Sequence, residues 1–147
     1  MEITRAYVKS ILPHRDPEGH KGTFGKVYCL CGAVGYTGAP VLAASSAVRS
    51  GSGLVFLGVP EDIWPIVAVK CDSAMPSPLP SQQGKLALAA EDAVRARIDG
   101  CDAVLIGCGM GRSDESDALT RRLTDTDKPL VLDADGINAF ETHIPDI

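Results

Sequence analysis

Apolar positions fall into short continuous runs separated by glycine and by longer stretches with helical spacing. Val27 to Cys31, Gly53 to Val59, Asp102 to Ile106 and Leu130 to Leu132 are each too short and too uniformly apolar for an amphipathic helix. They read as strands buried on both faces. Between them, Pro40 to Val48 carries an apolar stripe rich in small residues, and Leu86 to Ile98 and Ser113 or Asp114 to about Leu123 have helical spacing. Ile3, Tyr7, Val8, Ile11 and Leu12 predict a further short amphipathic helix, stopped by Pro13, and Ile63 to Ile66 another around Trp64. Val67 to Lys70 reads as a short strand. Thr37 is placed to cap the helix that Pro40 enters.

Alternation of buried strands with helices predicts βαβ units, so the fold class is α/β with a mostly parallel sheet and helices on both faces. Asp72 to Gly84 interrupts this order. It is rich in proline, serine and glutamine, which oppose ladder and helix hydrogen bonding, and reads as a long loop serving as lid, interface or linker.

The chain has 147 residues, 45% hydrophobic and 22% charged, the composition of one globular domain with a core of its own. Its formal charge of −5 gives no positive field for nucleic-acid phosphates or an anionic membrane, so neither is expected as a partner. Five cysteines form an odd set without a C-x-x-C pair and read as reduced. With no apolar leader after Met1 and no membrane-length apolar stretch, the expected location is cytoplasmic.

Ligands of open parallel sheets bind beyond the carboxyl ends of the strands. Three segments fall there: Gly32–Ala39, Gly107–Gly111 and Asp133–Asn138. A glycine turn entering a helix offers bare N–H groups to an anion or carbonyl, although glycines equally serve tight turns and close packing. Neither G-x-G-x-x-G spacing nor a Walker A ending is present. Asp133 and Asp135 project to opposite sides if the strand persists, so they do not define an acid pair. His14, His20 and His143 lack ligand spacing, and no metal site is assigned. Taken residue by residue, the pattern stops at a ligand-binding α/β domain.

Longer strings carry more. HKGTFGKV at His20–Val27, GAVGYTGAPVLAASSAVRSGSGLVFLGVPE at Gly32–Glu61, DAVLIGCGMGR at Asp102–Arg112 and KPLVLDADGINAF at Lys128–Phe140 occur in this order. Together they resemble the ADP- or ATP-dependent NAD(P)H-hydrate dehydratases, a family of ribokinase-like α/β fold, over about residues 1–141. The resemblance implies cofactor repair by a hydro-lyase: a nucleotide, with Mg2+, phosphorylates the hydroxyl of hydrated NADH or NADPH, which then leaves. It implies substrate contacts at Gly35, Tyr36, Thr37, Gly38 and Ala39, at Gly107, Gly109, Met110 and Gly111, and at Asp133 and Asn138, with Asp135 in the same DADxxN segment. A small-molecule substrate and a homo-oligomer are implied partners.

Departures from the family pattern are specific. Relatives continue to an L-T-P-H segment, a K-G-x-x-T segment and a G-G-S-G-D loop that forms an anion hole and supplies the implied catalytic base. None occurs here, and neither His143 nor Asp146 inherits a role, so the catalytic residue is unassigned. Cys108 stands where proline is usual and Gly136 where alanine is common. Residues 1–147 therefore read as a single truncated domain carrying the substrate-binding part, expected to bind nucleotide poorly, to lack turnover alone, and to leave a sheet edge uncovered. The competing readings are a ribokinase-like sugar or pyrimidine kinase and a non-catalytic dinucleotide-binding module.

Overall fold

In the computed structural model, which describes residues 2–143, a five-stranded parallel sheet runs in the order β3-β2-β1-β6-β7. The strands are β1 (Lys26–Leu30), β2 (Leu54–Pro60), β3 (Met75–Leu79), β6 (Ala103–Ile106) and β7 (Leu130–Leu132). β4 (Ser81–Gln82) and β5 (Lys85–Leu86) form a separate two-stranded hairpin. The helices are α1 (Arg5–Ile11), α2 (Gly38–Arg49), α3 (Trp64–Lys70), α4 (Glu91–Asp99), α5 (Asp114–Leu123) and α6 (Asp135–Asn138). Asp146 lies outside the described residues.

Period-two alternation in the strands sorts the core into two layers. Tyr28, Leu30, Val104 and Ile106 face α4 and α5, where Val94, Ile98, Leu119 and Leu123 close over them. Cys29, Cys31, Val55, Leu57 and Val59 face α2 and α3, packing on Ala44, Ile63 and Val67. Helices thus cover both faces, as the sequence pattern predicts. The small residues of α2 let it lie close to β1 and β2.

Three local expectations are corrected. Val67–Lys70 is the second half of α3, because the helix begun at Trp64, with Pro65 in its first turn, continues through it. Leu86–Ile98 is not one helix: Leu86 pairs in β5, a 3-10 turn covers Leu88–Ala90, and α4 starts at Glu91. Asp72–Gly84 is not a structureless loop, since it contains edge strand β3 and the first arm of the hairpin.

β3 tolerates its prolines because they recur at every second residue. β3 pairs only with β2, and Leu79 turns its carbonyl inward to the N–H of Glu61 at 2.9 Å. Pro78 and Pro76 lie one and three positions before Leu79, so their backbone groups point the opposite way and both missing N–H groups fall on the outer edge. The outward carbonyl of Pro76 is taken by the Trp64 indole N–H at 3.1 Å.

α1 is a helix as expected, capped by the Thr4 hydroxyl, but none of its residues is buried. Ser113 caps α5 through a reciprocal pair with Ser116. Thr37 occupies the N-cap position of α2, but its hydroxyl accepts no hydrogen bond from the first-turn N–H groups, in contrast to its expected role.

Candidate functional site

The chain order through the sheet reverses between β1 and β6. From β1 it proceeds outward through β2 to β3, then returns to the other side of β1 for β6 and continues to β7. Loops leaving β1 and β6 therefore diverge to opposite faces, opening a crevice at their carboxyl ends. The two glycine segments border that crevice, and the segment after β7 lies beside them.

Backbone contacts bind the borders together. The Gly32 N–H donates to the Cys108 carbonyl at 3.0 Å, and the Gly107 N–H to the Leu30 carbonyl at 3.2 Å. Gly109, at φ +63°, faces α2 so closely that a Cβ there would lie 2.8 Å from the Ala39 Cβ and 3.1 Å from the Tyr36 Cβ. Gly107, at φ +125°, has no room for a side chain against the Asp133 carbonyl. Gly35 and Gly38 differ: a Cβ at either would meet nothing within 4 Å. Those positions front open space, and the first-turn N–H groups of α2 beside them carry no side-chain cap.

Asp133 and Asp135 do not separate as strand alternation suggests, because β7 ends at Leu132 and Ala134 turns the backbone at φ +44°. Both carboxylates face the second glycine loop. Asp135 accepts the Gly111 N–H at 2.9 Å and lies 3.4 Å from the Asn138 amide nitrogen, while Asp133 Oδ2 accepts the Cys108 thiol at 3.3 Å. Gly136 fits because a Cβ there would come within 2.7 Å of the Ile106 carbonyl, pressing α6 onto the loop.

Placement of the expected residues is uneven. Gly35, Tyr36, Gly38, Asp133 and Asn138 are exposed, with Tyr36 57% accessible, and Thr37, Ala39, Gly109 and Gly111 are half-buried. Gly107 is buried in its backbone crossing. Met110, 1% accessible, sends its side chain into the α4/α5 core layer and offers no side-chain surface to a ligand.

Sequence reading missed the hairpin's part in the site. The Gly84 carbonyl accepts the Val34 N–H at 2.8 Å, tying the hairpin across the first turn. Lys85 then runs its stem past Gly111, with Cε 3.1 Å from where a Cβ would stand, which brings a cation to the second loop. The available signal was Gln83-Gly84: both have positive φ, the two-residue hairpin turn for which glycine in second place is characteristic.

Among the described residues no three His, Cys, Asp or Glu side chains converge as metal ligands. Both carboxylates nearest the crevice are already engaged with the second loop, and no step through nucleotide or magnesium is assigned to these residues. A cavity of about 290 Å³ lined by His14, Arg15 and Phe24 opens at the opposite end of the sheet, before β1 and β2. Its lining contains none of the crevice residues, and the crevice itself is an open shelf.

The sheet with its switch-point crevice, walled by two glycine turns, is an α/β fold shared with solved structures. A ribokinase-like superfamily protein from Enterococcus faecalis superposes with TM-score 0.78 at 20% identity, over 95% of this chain and 47% of that one. The ADP/ATP-dependent NAD(P)H-hydrate dehydratase of Bacillus subtilis, co-crystallized with ATP/Mg2+, superposes with TM-score 0.72 at 29% identity, over 90% and 45%. The family model described as NAD(P)H-hydrate dehydratase matches residues 27–146, and the chain belongs to that family. It is 41% identical to the bifunctional NAD(P)H-hydrate repair enzyme of Salinibacter ruber, over 99% of this chain and 28% of that protein. With the ADP-dependent (S)-NAD(P)H-hydrate dehydratase of Neisseria meningitidis it shares 37% identity, over 87% of this chain and 40% of that protein. It thus spans well under half the length of these relatives. Their names favour the dehydratase reading over a sugar or pyrimidine kinase.

Proposed function

We propose that this chain forms the substrate-binding part of an ADP- or ATP-dependent NAD(P)H-hydrate dehydratase, a hydro-lyase that restores damaged nicotinamide cofactor. The observation that carries this reading is the joining of both glycine turns and the segment after β7 around one switch-point crevice. A hydrated dinucleotide has a central diphosphate flanked by ribose hydroxyls and a hydroxylated ring, so it needs donors in the middle and mixed donors and acceptors around them. The uncapped N–H groups at the start of α2, with its partial positive charge, supply the first. Lys85 adds a full charge beside Gly111. Asp133 and Asn138, both exposed, offer a carboxylate and an amide to the hydroxyls.

Positioning is the work these residues do. Phosphoryl transfer depends on charge stabilisation around the transferred group. That work is assigned to parts of the family fold carrying the L-T-P-H, K-G-x-x-T and G-G-S-G-D segments, where nucleotide and Mg2+ supply the phosphoryl group and its charge neutralisation. Cytoplasmic location and self-association accompany the proposal. No helix among the described residues is long and apolar enough to cross a membrane.

Calorimetric titration of the chain with NADPH hydrate, and separately with ribose and a pyrimidine alcohol, tests the reading. Binding of the hydrate alone, without ADP-dependent recovery of reduced-cofactor absorbance, is the expected result. Binding of the sugar or pyrimidine in preference to the hydrate would overturn it.

A further inference from the structure

Asp135 opens α6 with a carboxylate that its own helix does not use. The first N–H groups there are met by backbone. Gly136 donates to the Asp133 carbonyl at 2.8 Å, and Ile137 and Asn138 donate to the Ala134 carbonyl, each at 3.0 Å. The half-buried Asp135 side chain reaches instead to the second glycine loop, where Oδ2 accepts the Gly111 N–H at 2.9 Å. A carboxylate makes such a bond stronger than a neutral acceptor would. Ala134, at φ +44°, supplies the turn that brings Asp135 back over the loop, a backbone conformation that alanine keeps only where its surroundings hold it.

Gly111 is where its loop meets three other segments. A Cβ there would stand 3.1 Å from Lys85 Cε of the hairpin and 3.5 Å from the Ala33 Cβ of the first glycine segment. Asp135 holds it from the segment after β7. Within the loop, the Gly107 N–H is spent on the Leu30 carbonyl at 3.2 Å and the Met110 N–H on the Gly107 carbonyl at 3.3 Å. The Gly109 N–H has no acceptor among the described residues, and the anchored Gly111 lies two residues beyond it. The second carboxylate oxygen also orients a side chain. Asp135 Oδ1 lies 3.4 Å from the Asn138 amide nitrogen. A carboxylate only accepts, so the Asn138 nitrogen turns toward it and the Asn138 oxygen is left as an acceptor for a donor from elsewhere.

We propose that Asp135 is a positioning residue for the hydrated cofactor, an inference that rests on the binding role proposed above. Its carboxylate fixes Gly111, and with it the second glycine loop and the seat of the Lys85 stem. It also sets the Asn138 amide so that the oxygen meets a hydroxyl of the ligand. The two aspartates thereby divide the work: exposed Asp133 faces the ligand, and Asp135 acts through Gly111 and Asn138.

The test compares the full chain with Asp135→Asn and Asp135→Ala, reading hydrogen exchange at the Gly111 amide and affinity for NADPH hydrate by calorimetry. Asparagine keeps an oxygen for the Gly111 N–H but turns an amide nitrogen to Asn138, whose own amide then reverses. Asp135→Asn is therefore expected to keep Gly111 protected and to bind about 3-fold more weakly, while Asp135→Ala loses the protection and binds about 10-fold more weakly. An aspartate with only a structural role would lower the melting temperature and leave the affinity of the folded chain unchanged, and that result would overturn the proposal. Unchanged Gly111 exchange in Asp135→Ala, or Asp135→Asn binding as weakly as Asp135→Ala, would do the same. If Asp135→Ala does not fold, Asp135→Asn decides alone: lost Gly111 protection or wild-type affinity overturns the proposal. A wild-type chain that binds no hydrate would overturn the cofactor reading and the binding role of Asp135 with it. Gly111 exchange distinguishes that failure, because it reports the hold on the loop without any ligand.

Discussion

Gly109 and Gly35 both sit at positive φ, yet they differ in what surrounds them. A methyl group at Gly109 meets Ala39 and Tyr36, while one at Gly35 meets open space. Gly35→Ala is therefore expected to cost about 1 kcal/mol in backbone strain alone. Gly109→Ala should cost about 2–4 kcal/mol, since overpacking adds to the strain. Denaturant unfolding of the two variants checks the gap, and equal losses would contradict this packing of the second loop on α2. Lys85→Ala should weaken cofactor binding about 5-fold, an effect that fades with added salt as screening requires; affinity unchanged at low salt would remove Lys85 from the site. Burial also sets a pH dependence. Desolvation lifts the Cys29 thiol from near 9 to about 12 in the fold. Its stabilising contribution is complete below 9, where both states hold the proton, and falls between 9 and 12 as only the unfolded chain ionises. Unfolding midpoints should drop over that range, and less steeply in Cys29→Ala. At this scale the sequence exposed the glycines and the DAD segment but not their neighbours. The Lys85 stem beside Gly111, the turn of Ala134 that brings both carboxylates to one loop, and the inward Met110 side chain all depend on contacts between segments distant in the chain.

Elements with a strong local signal read correctly from the chain. β1, β2, β6 and β7 are apolar runs between glycines or prolines, and α5 announces itself with Ser113 ahead of an acidic first turn. Its cap is reciprocal, so Ser113→Ala should lower stability by about 1 kcal/mol, measurable as a drop in melting temperature; no change would mean that Ser116 alone satisfies the helix start. Elements whose pairing is decided elsewhere did not read. Pro76 and Pro78 argue against a strand unless β2 is known to lie on one side only. The hairpin has arms of two residues each, too short for periodicity, and its docking is settled by the Gly84 carbonyl on Val34. Thr37 looked like a side-chain cap because threonine commonly is one, but its backbone is already helical, at φ −65° and ψ −17°.

Across the whole molecule, the sheet order converts three separate loops into one site. Each glycine turn alone is a weak signal, and only the reversal between β1 and β6 places them on the same crevice. Among the described residues β7 is the last strand on the other side of the sheet and its Val131 is 60% accessible, so concentration-dependent self-association of residues 1–147 is expected in sedimentation, and a monomer at all concentrations would contradict it. The most direct test of the crevice is a titration of the isotope-labelled chain with NADPH hydrate, followed through backbone amide shifts. Binding across the switch point is expected to move the amides of Gly35–Ala39, Gly107–Gly111 and Asp133–Asn138 together, with a smaller response at Lys85. Shifts confined to the cavity around His14 and Arg15 at the opposite end of the sheet, or no shifts at saturating ligand, would contradict it.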